Sequence, residues 1–388
     1  MRAIRRFFRP SRDWWRDVRN RKLADPDFQR SAANFALTRP FARRSSRRLF
    51  DLVAGFVYSQ ALTAAVELEL FTVLSRGPRT LPEVAVAAGL TQDACERLLR
   101  ALQSIDLVEI DDSGEETTYA LAALGAALVA NPGATAMIRH HKDLYQDLSD
   151  PVALLRGRHS ETRLAKLWPY AAEAKGQPPA DANVAAYTDL MAASQDLVAD
   201  EILSAYDLSW AKRMLDLGGG DGRFLRKVAA AHPDIELHLF DLPPVAAIAR
   251  ERIGDTRFGR RIIVHEGDFF TDLYPDRFDL ISLVRIIHDH EDAEAVRLLT
   301  RARDALTPGG VVVVAEPMAG SADSAAVADA YFGFYLMAMG RGRPRRPSEI
   351  AGLMNAAGLQ RVHRIPTALP IATSIMIGEI PRRNVRFT

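Results

Sequence analysis

The chain has 388 residues, 48% of them hydrophobic and 26% charged, with a formal net charge of +1. That length predicts two domains plus a tail, and the single cysteine, Cys95, excludes an internal disulfide framework and fits a reducing cytoplasm. No apolar run is read as reaching the ~18 residues of a membrane-spanning helix, and the N-terminus lacks the apolar core and small-residue cleavage site of a secretory signal.

The near-neutral total hides an asymmetry. Residues 1–48 hold fifteen Arg/Lys and four Asp, a net +11, which leaves −10 on the remaining 340. Phe7, Phe8, Trp14, Trp15, Phe28, Phe35 and Phe41 are interleaved with those charges. Such a mixture can dock on an anionic membrane surface with its rings at headgroup level. A flexible tail or a partner-binding arm is the plainer reading. No base-reading module follows the tail, so nucleic acid is not expected as a partner.

From Leu49, "LFDLVAGFVYSQALTAAVELELFTVL" predicts an apolar helical stretch that packs against another subunit or domain. Next, "TLPEVAVAAGLTQDACERLLRALQSIDLVEIDDSGEETTYALAALG" predicts a helix, a turn at Gly89, a second helix and two short strands around Asp111–Glu116, a winged-helix layout. Its would-be recognition helix carries acids at the N-terminal end, Asp93 and Glu96, where a DNA reader presents donors. A scaffold or dimerisation role is expected instead. Residues 121–205 read as mainly helical. From Lys212, "RMLDLG", "ELHLFDL", "IIVHEGD", "FDLISLVRI", "GGVVVVAEP", "QRVHRIP" and "TSIMIGEI" read as strands. Helices at 223–232, 243–253, 292–306 and 348–358 separate them, so a mostly parallel sheet covered on both faces is expected. The domains expected are a basic tail (1–48), a helical winged-helix-like domain with bridging helices (49–205) and an α/β ligand-binding domain (206–388).

"MLDLGGGDGRFL" places a strand, a glycine turn and a helix start in order. Gly218 and Gly220 permit backbone approach that a Cβ would block. Dinucleotide folds use such a turn too, but their G-x-G-x-x-G needs a glycine where this chain has Arg223. Asp216, just before the turn, suits a ligand with a positive amino-acid end. Asp241 closes the second strand, where a carboxylate accepts ribose hydroxyls. In "EGDFF", Asp268 can accept from an adenine amino group and Phe269 offers the ring an apolar face. Three acidic strand ends favour S-adenosylmethionine over a dinucleotide.

"LDLGGGDGRF", "FDLP", "GDFF", "HDH", "PGG" and "AEPM" together resemble the successive motifs of class I, plant-type small-molecule O-methyltransferases, over nearly everything after residue 50. The resemblance implies a Rossmann-like, seven-stranded methyltransferase domain with its last strand antiparallel. It also implies an N-terminal winged-helix dimerisation domain and a homodimer. "NPGATAMIRHHKDLYQDLSDPVALLRG", "LMAASQ", "SLVRIIHDH" and "DAYFGFYLMAMGRGRP" resemble more specifically the carotenoid 1-hydroxy O-methyltransferases of purple phototrophic bacteria. These act on hydroxyneurosporene and demethylspheroidene in spheroidene-type carotenoid biosynthesis. Methylation of a phenolic or polyketide metabolite, or an inactive methyltransferase-like dimer, are the other readings.

In the family pattern the histidine of "RIIHDH", His288, is the base, and Glu316 of "VAEPM" orients it through its other ring nitrogen. Asp289 and His290 read as structural. Two departures stand out. Val284 occupies the position of a cofactor-contacting lysine, with Arg285 next door as the replacement contact. Pro344, in "GRPRR", stands where a second acid flanks the base. On composition "DAYFGFYLMAMG" is buried core; the resemblance makes Tyr331, Phe334, Tyr335 and Met339 substrate-lining. His288 and His290 recruit no third ligand, so no metal is expected. A tertiary alcohol is too weakly acidic for full deprotonation by imidazole, so His288 is expected to accept the proton as the C–O bond forms; positioning alone is the alternative. A carotenoid must be collected from a bilayer, which would give the basic tail a purpose. The expected location is cytoplasmic and peripheral at the inner or photosynthetic membrane.

Overall fold

The computed structural model describes residues 12–158, 162–167, 181–275, 277–320, 325–370 and 372–381. Phe7 and Phe8 of the basic tail therefore lie outside the described residues. The chain divides into two compact units after Ala126.

In the first unit, Arg12–Ala24 and Pro26–Asn34 are helices with no buried residue. Asp25 caps the second, accepting from the Asp27 N–H at 2.9 Å, and Pro26 suits its first position. Arg39–Glu67 is one long helix that buries only Thr63, Ala65 and Val66. Leu49, Phe50, Leu52, Val53, Phe56 and Val57 stay exposed, Leu52 at 80%. Their i, i+3, i+4, i+7 spacing makes one apolar stripe. An 18-residue window of this helix has a mean hydropathy of 1.5, with 22% of it buried. The expectation that no segment has the length and apolarity to span a bilayer is thus corrected. A helix whose stripe is covered by a protein partner meets the same criterion.

Leu81–Ala88 and Gln92–Gln103 follow as helices, joined at Gly89, whose φ of 64° needs no Cβ. The strands β1 (Arg79–Thr80), β2 (Val108–Asp111) and β3 (Thr118–Leu121) form a small antiparallel sheet in the order β1-β3-β2. The two strands lie around the expected segment, β2 closing at Asp111 and β3 opening at Thr118. Asp111 accepts from the Ser113 N–H at 2.9 Å and so opens the turn between them.

The second unit holds a seven-stranded sheet. Its strands are β4 (Arg213–Leu217), β5 (Glu236–Asp241), β6 (Ile262–Glu266), β7 (Phe278–Val284), β8 (Leu306–Glu316), β9 (Gln360–Ile365) and β10 (Ser374–Glu379), in the order β6-β5-β4-β7-β8-β10-β9. The pairs from β6 through β8 are parallel, and β10 runs antiparallel to both neighbours. The last strand is antiparallel, as expected. Both faces are apolar: Val311, Val313 and Ala315 of β8 join one core cluster, and Val312 and Val314 the other. The sequence placed a boundary at 205, but the compact division falls earlier. Val198, Ala199 and Ile202 of the helix Asp181–Ala205 pack in the same cluster as Met214 and Phe224, so this helix belongs with the sheet. Strand order reverses between β4 and β7, which opens a crevice at their carboxyl ends.

Asp279 ties three strands at the opposite edge. Its carboxylate accepts from the Lys212 and Arg213 N–H groups at 2.9 and 3.0 Å and from the Thr307 hydroxyl at 3.1 Å. Asp279→Ala is expected to lower stability by about 1–3 kcal/mol in urea unfolding; an unchanged midpoint would show that these bonds are replaced by water at no cost.

Candidate active site

The crevice between β4 and β7 is a cavity lined by Gly218, Gly219, Gly220, Asp221, Asp241, Arg285 and Asp289, with Thr188, Met191 and Gln195 across from them. The glycine turn builds one wall. Gly218 and Gly220 have φ of 71° and 59°. A Cβ on Gly218 would sit 2.4 Å from the Ile286 side chain, and one on Gly219 would sit 2.7 Å from Leu239. The turn is fastened from β5: the Gly218 N–H donates to the Phe240 carbonyl at 2.8 Å, and the Gly220 N–H donates to Asp241 at 2.9 Å.

The cofactor positions read from the sequence divide. Gly218, Gly220, Asp241 and Arg285 line the cavity; Asp216, Asp268 and Phe269 do not. Asp216 is 2% exposed and accepts from the Ser282 hydroxyl at 2.5 Å. Burial pushes its carboxyl up to about 7, against the Ser282 hydrogen bond and with the help of nearby Asp241. Its carboxylate abuts the turn from the strand, since a Cβ on Gly219 would lie 3.0 Å from its Oδ2. Asp268 accepts from the Phe270 N–H at 2.7 Å and so closes its own loop. Phe269 is in the core, edge-on to His290.

Sequence reading missed other lining residues. Thr188, Met191 and Gln195 recur at i, i+3 and i+7 and so share a helix face; that spacing was the available signal. Asp221 is 4% exposed, with Arg226 at 3.1 Å and Arg252 at 3.4 Å. It also accepts from the Arg223 N–H at 3.0 Å, at the start of the helix Arg223–Ala231.

After β7 the chain turns at Arg285, whose φ is 60°, into a single tight helical turn, Ile287–Asp289. His288 is buried, and burial, with the charges of Arg285 and Arg345, pushes its imidazole down to about 3. The ring is therefore neutral. Its Nε2 lies 3.4 Å from Asp289 Oδ1, while Nδ1 has no hydrogen-bond partner among the described residues. Burial raises the Asp289 carboxyl to about 7 against Arg285 and Arg341. Asp289 was expected to be structural; it lines the cavity and faces the imidazole.

Glu316 departs from expectation as well. It is fully buried at the end of β8, and its Oε2 accepts from the His288 backbone N–H at 3.1 Å. Its Oε1 has no partner among the described residues. The carboxylate thus grips the backbone of His288 and not its ring. The physical reason is that the first N–H groups of a helical turn have no internal acceptor, and this turn aims one at β8. Burial pushes Glu316 up to about 8. His290 packs edge-on against Phe269 and Phe270, and Asp292 opens the helix Asp292–Asp304, as read from the sequence.

The aromatic segment continues from Ala325–Phe332 into the helix Gly333–Met339. Tyr335 and Met339 are buried among Leu144, Leu154 and Leu164, with Tyr331 and Phe334 packed on the same cluster. None of these four lines the cavity beside the glycine turn. The Tyr335 and Tyr331 hydroxyls meet His140 Nε2 at 3.0 Å and His141 Nε2 at 3.1 Å, and the two phenol rings stack. Burial lowers both histidines and raises both phenols, so each pair is neutral. Phe332, also unforeseen, places its ring 5.8 Å from that of His288 and joins the segment to the site.

Two family models match the chain: an O-methyltransferase domain over residues 145–360 and an O-methyltransferase dimerisation domain over residues 50–131. The demethylspheroidene O-methyltransferase of Cereibacter sphaeroides is 41% identical over 354 residues, which is 91% of this chain and 92% of that protein. The enzyme of the same name from Rhodobacter capsulatus is 41% identical over 87% of this chain and 83% of its own. Among solved structures, CalO1, a methyltransferase of calicheamicin biosynthesis in its SAH-bound form, superposes with a TM-score of 0.71 at 28% identity, covering 87% of this chain and 98% of that one. The chain belongs to the O-methyltransferase family.

Proposed function

We propose that this protein transfers a methyl group from S-adenosylmethionine to the tertiary hydroxyl of an acyclic carotenoid of the hydroxyneurosporene or demethylspheroidene type. The observation that carries the reading is the 41% identity, over most of both chains, to two demethylspheroidene O-methyltransferases. The cofactor, when bound, supplies an electrophilic methyl on a sulfonium. The residues fit such a ligand: a glycine turn lining the cavity with no room for a Cβ at Gly218 or Gly219, Asp241 beside it for hydroxyls, and the acids Asp221 and Asp289 on a wall that also holds Arg285. Asp216 abuts the turn from its strand, and Asp268 and Phe269 shape the loop after β6.

His288 is the group that takes the hydroxyl proton. A base must be neutral before it accepts, and burial keeps this imidazole neutral at any physiological pH. The alcohol is far less acidic than imidazolium, so the proton moves as the C–O bond forms. Glu316 holds the His288 backbone, and Asp289, which lines the cavity, stands between that cavity's wall and the imidazole, with Oδ1 3.4 Å from Nε2; His288 itself is not among the cavity's lining residues. Tyr331, Phe334, Tyr335 and Met339 are the proposed apolar side for a polyene, reached through Phe332, which packs on Tyr331, Tyr335 and His288, since none of the four lines the cavity beside the glycine turn.

The dimerisation domain and the exposed stripe of Arg39–Glu67 support a homodimer. The basic arm 1–48 is a peripheral contact for an anionic bilayer, from which a water-insoluble substrate is drawn; Arg12–Ala24 and Pro26–Asn34 bury nothing, and Trp14, Trp15, Phe28 and Phe35 are exposed there.

Incubation with S-adenosylmethionine and either hydroxyneurosporene or a catechol, followed by product mass analysis, tests the substrate. A methylated carotenoid is expected, and a methylated catechol with untouched carotenoid would favour the phenolic reading. His288→Ala is expected to lower kcat by about 10²–10⁴-fold with cofactor affinity retained; wild-type turnover would remove His288 from the chemistry. Deleting residues 1–45 should abolish co-sedimentation with anionic vesicles, and intact binding by the shortened chain would refute the membrane role of the arm.

A further inference from the structure

The segment Gly340–Arg346 contains Arg345, a large side chain with no exposure at all. A buried guanidinium is strongly unfavourable unless its donors find acceptors. Arg345 Nη1 donates to the Ile287 carbonyl at 2.7 Å, and Nη2 donates to the His290 carbonyl at 2.6 Å. Nε and Nη2 donate to Asp292 Oδ1 at 2.9 and 2.7 Å. That contact holds the Asp292 carboxyl below the usual carboxylate range. All three acceptors lie in the six residues 287–292, which contain His288.

The neighbouring backbone grips the same turn. The Arg343 N–H donates to the His288 carbonyl at 2.9 Å, and the Gly342 N–H donates to the Glu291 carboxylate at 3.2 Å. Gly342 has a φ of 71°, and a Cβ there would lie 2.1 Å from the His288 carbonyl oxygen, so the close approach demands glycine. The carbonyl of Arg345 itself accepts from the Ala319 N–H at 2.9 Å, three residues beyond Glu316. The turn has little of its own to hold it. Its internal backbone bonds, Asp289 N–H to Ile286 and His290 N–H to Ile287, are 3.1 and 3.3 Å long, at the weak end of the range.

We propose that Arg345 is a positioning residue for methyl transfer: by binding the carbonyls of Ile287 and His290 and the carboxylate of Asp292, it fixes the turn that carries His288 and so aims the imidazole. The inference rests on the reading of His288 as the proton acceptor. Arg345→Lys keeps a cation but loses the planar fork that reaches three acceptors at once. Asp292→Asn weakens the grip at an exposed residue and leaves the fold intact.

The test compares these variants with the wild-type chain and repeats them in a His288→Ala background. It reads kcat with hydroxyneurosporene, calorimetric affinity for S-adenosylmethionine and the thermal midpoint. Arg345→Lys is expected to lower kcat by about 10–100-fold, and Asp292→Asn by a smaller factor, both with cofactor affinity unchanged. In the His288→Ala background neither is expected to lower the residual rate further. Should Arg345→Lys not fold, Asp292→Asn carries the comparison. Equal loss of rate in both backgrounds would overturn the inference and leave the role of His288 standing, as would wild-type kcat in Asp292→Asn. Full activity of His288→Ala would instead remove the underlying reading and the inference with it.

Discussion

Three carboxyl groups, Asp216, Asp289 and Glu316, gather near the ends of β4, β7 and β8, and Asp289 is the one that lines the cavity. Asp216 and Glu316 are removed from water and Asp289 is partly so, and burial outweighs whatever opposes it: the Ser282 hydroxyl at Asp216, Arg285 and Arg341 at Asp289, and backbone N–H groups and Arg345 at Glu316. Their pKa values rise to about 7, 7 and 8. A buried acid without full compensation favours its neutral form, and an opposite charge placed nearby reverses that preference. A cationic cofactor is such a charge. The glycine turn lies against the packed side chains of Ile286 and Leu239, where a Cβ on Gly218 or Gly219 would collide.

This arrangement also sets the state of the imidazole. Beside His288 stand Arg285 and Arg345, which add to burial in keeping the ring neutral. The cation disfavours a protonated histidine, while an Asp289 ionised by that cation, 3.4 Å from Nε2, favours one, so the two effects oppose each other at the ring. Proton acceptance then has to be coupled to methyl transfer, because the weakly acidic alcohol gives up nothing earlier. Geometry carries much of the burden in such a reaction. A short turn with long internal hydrogen bonds meets that demand through the external hold of Arg345, Arg343, Gly342 and Glu316.

Most of the α/β unit was legible because its signals are local. Alternation in "RMLDLG" or "GGVVVVAEP" and helical spacing between strands depend on residues a few positions apart, and the strands formed where those signals lay. The glycine turn and Asp241 were legible for the same reason. What escaped was set by direction and by distant partners. Whether Glu316 meets the ring or the backbone of His288 depends on how one tight turn is oriented, and that is fixed by Arg345, more than fifty residues away in sequence. Asp216 was assigned to the ligand because it lies next to the turn, yet it bonds Ser282 of the neighbouring strand and does not line the cavity. The pairing of His140 and His141 with Tyr335 and Tyr331 joins segments 195 and 190 residues apart, beyond the reach of any periodicity.

The central claim is electrostatic: burial raises the Asp289 carboxyl on the cavity wall, and a sulfonium cation bound there draws it back toward ionisation. Calorimetric titration of S-adenosylmethionine at about pH 6.5, in buffers with different ionisation enthalpies, measures the protons exchanged on binding. The account predicts net proton release, up to about one per site for a carboxyl near pKa 7. Heats that do not depend on the buffer, or proton uptake, would contradict it.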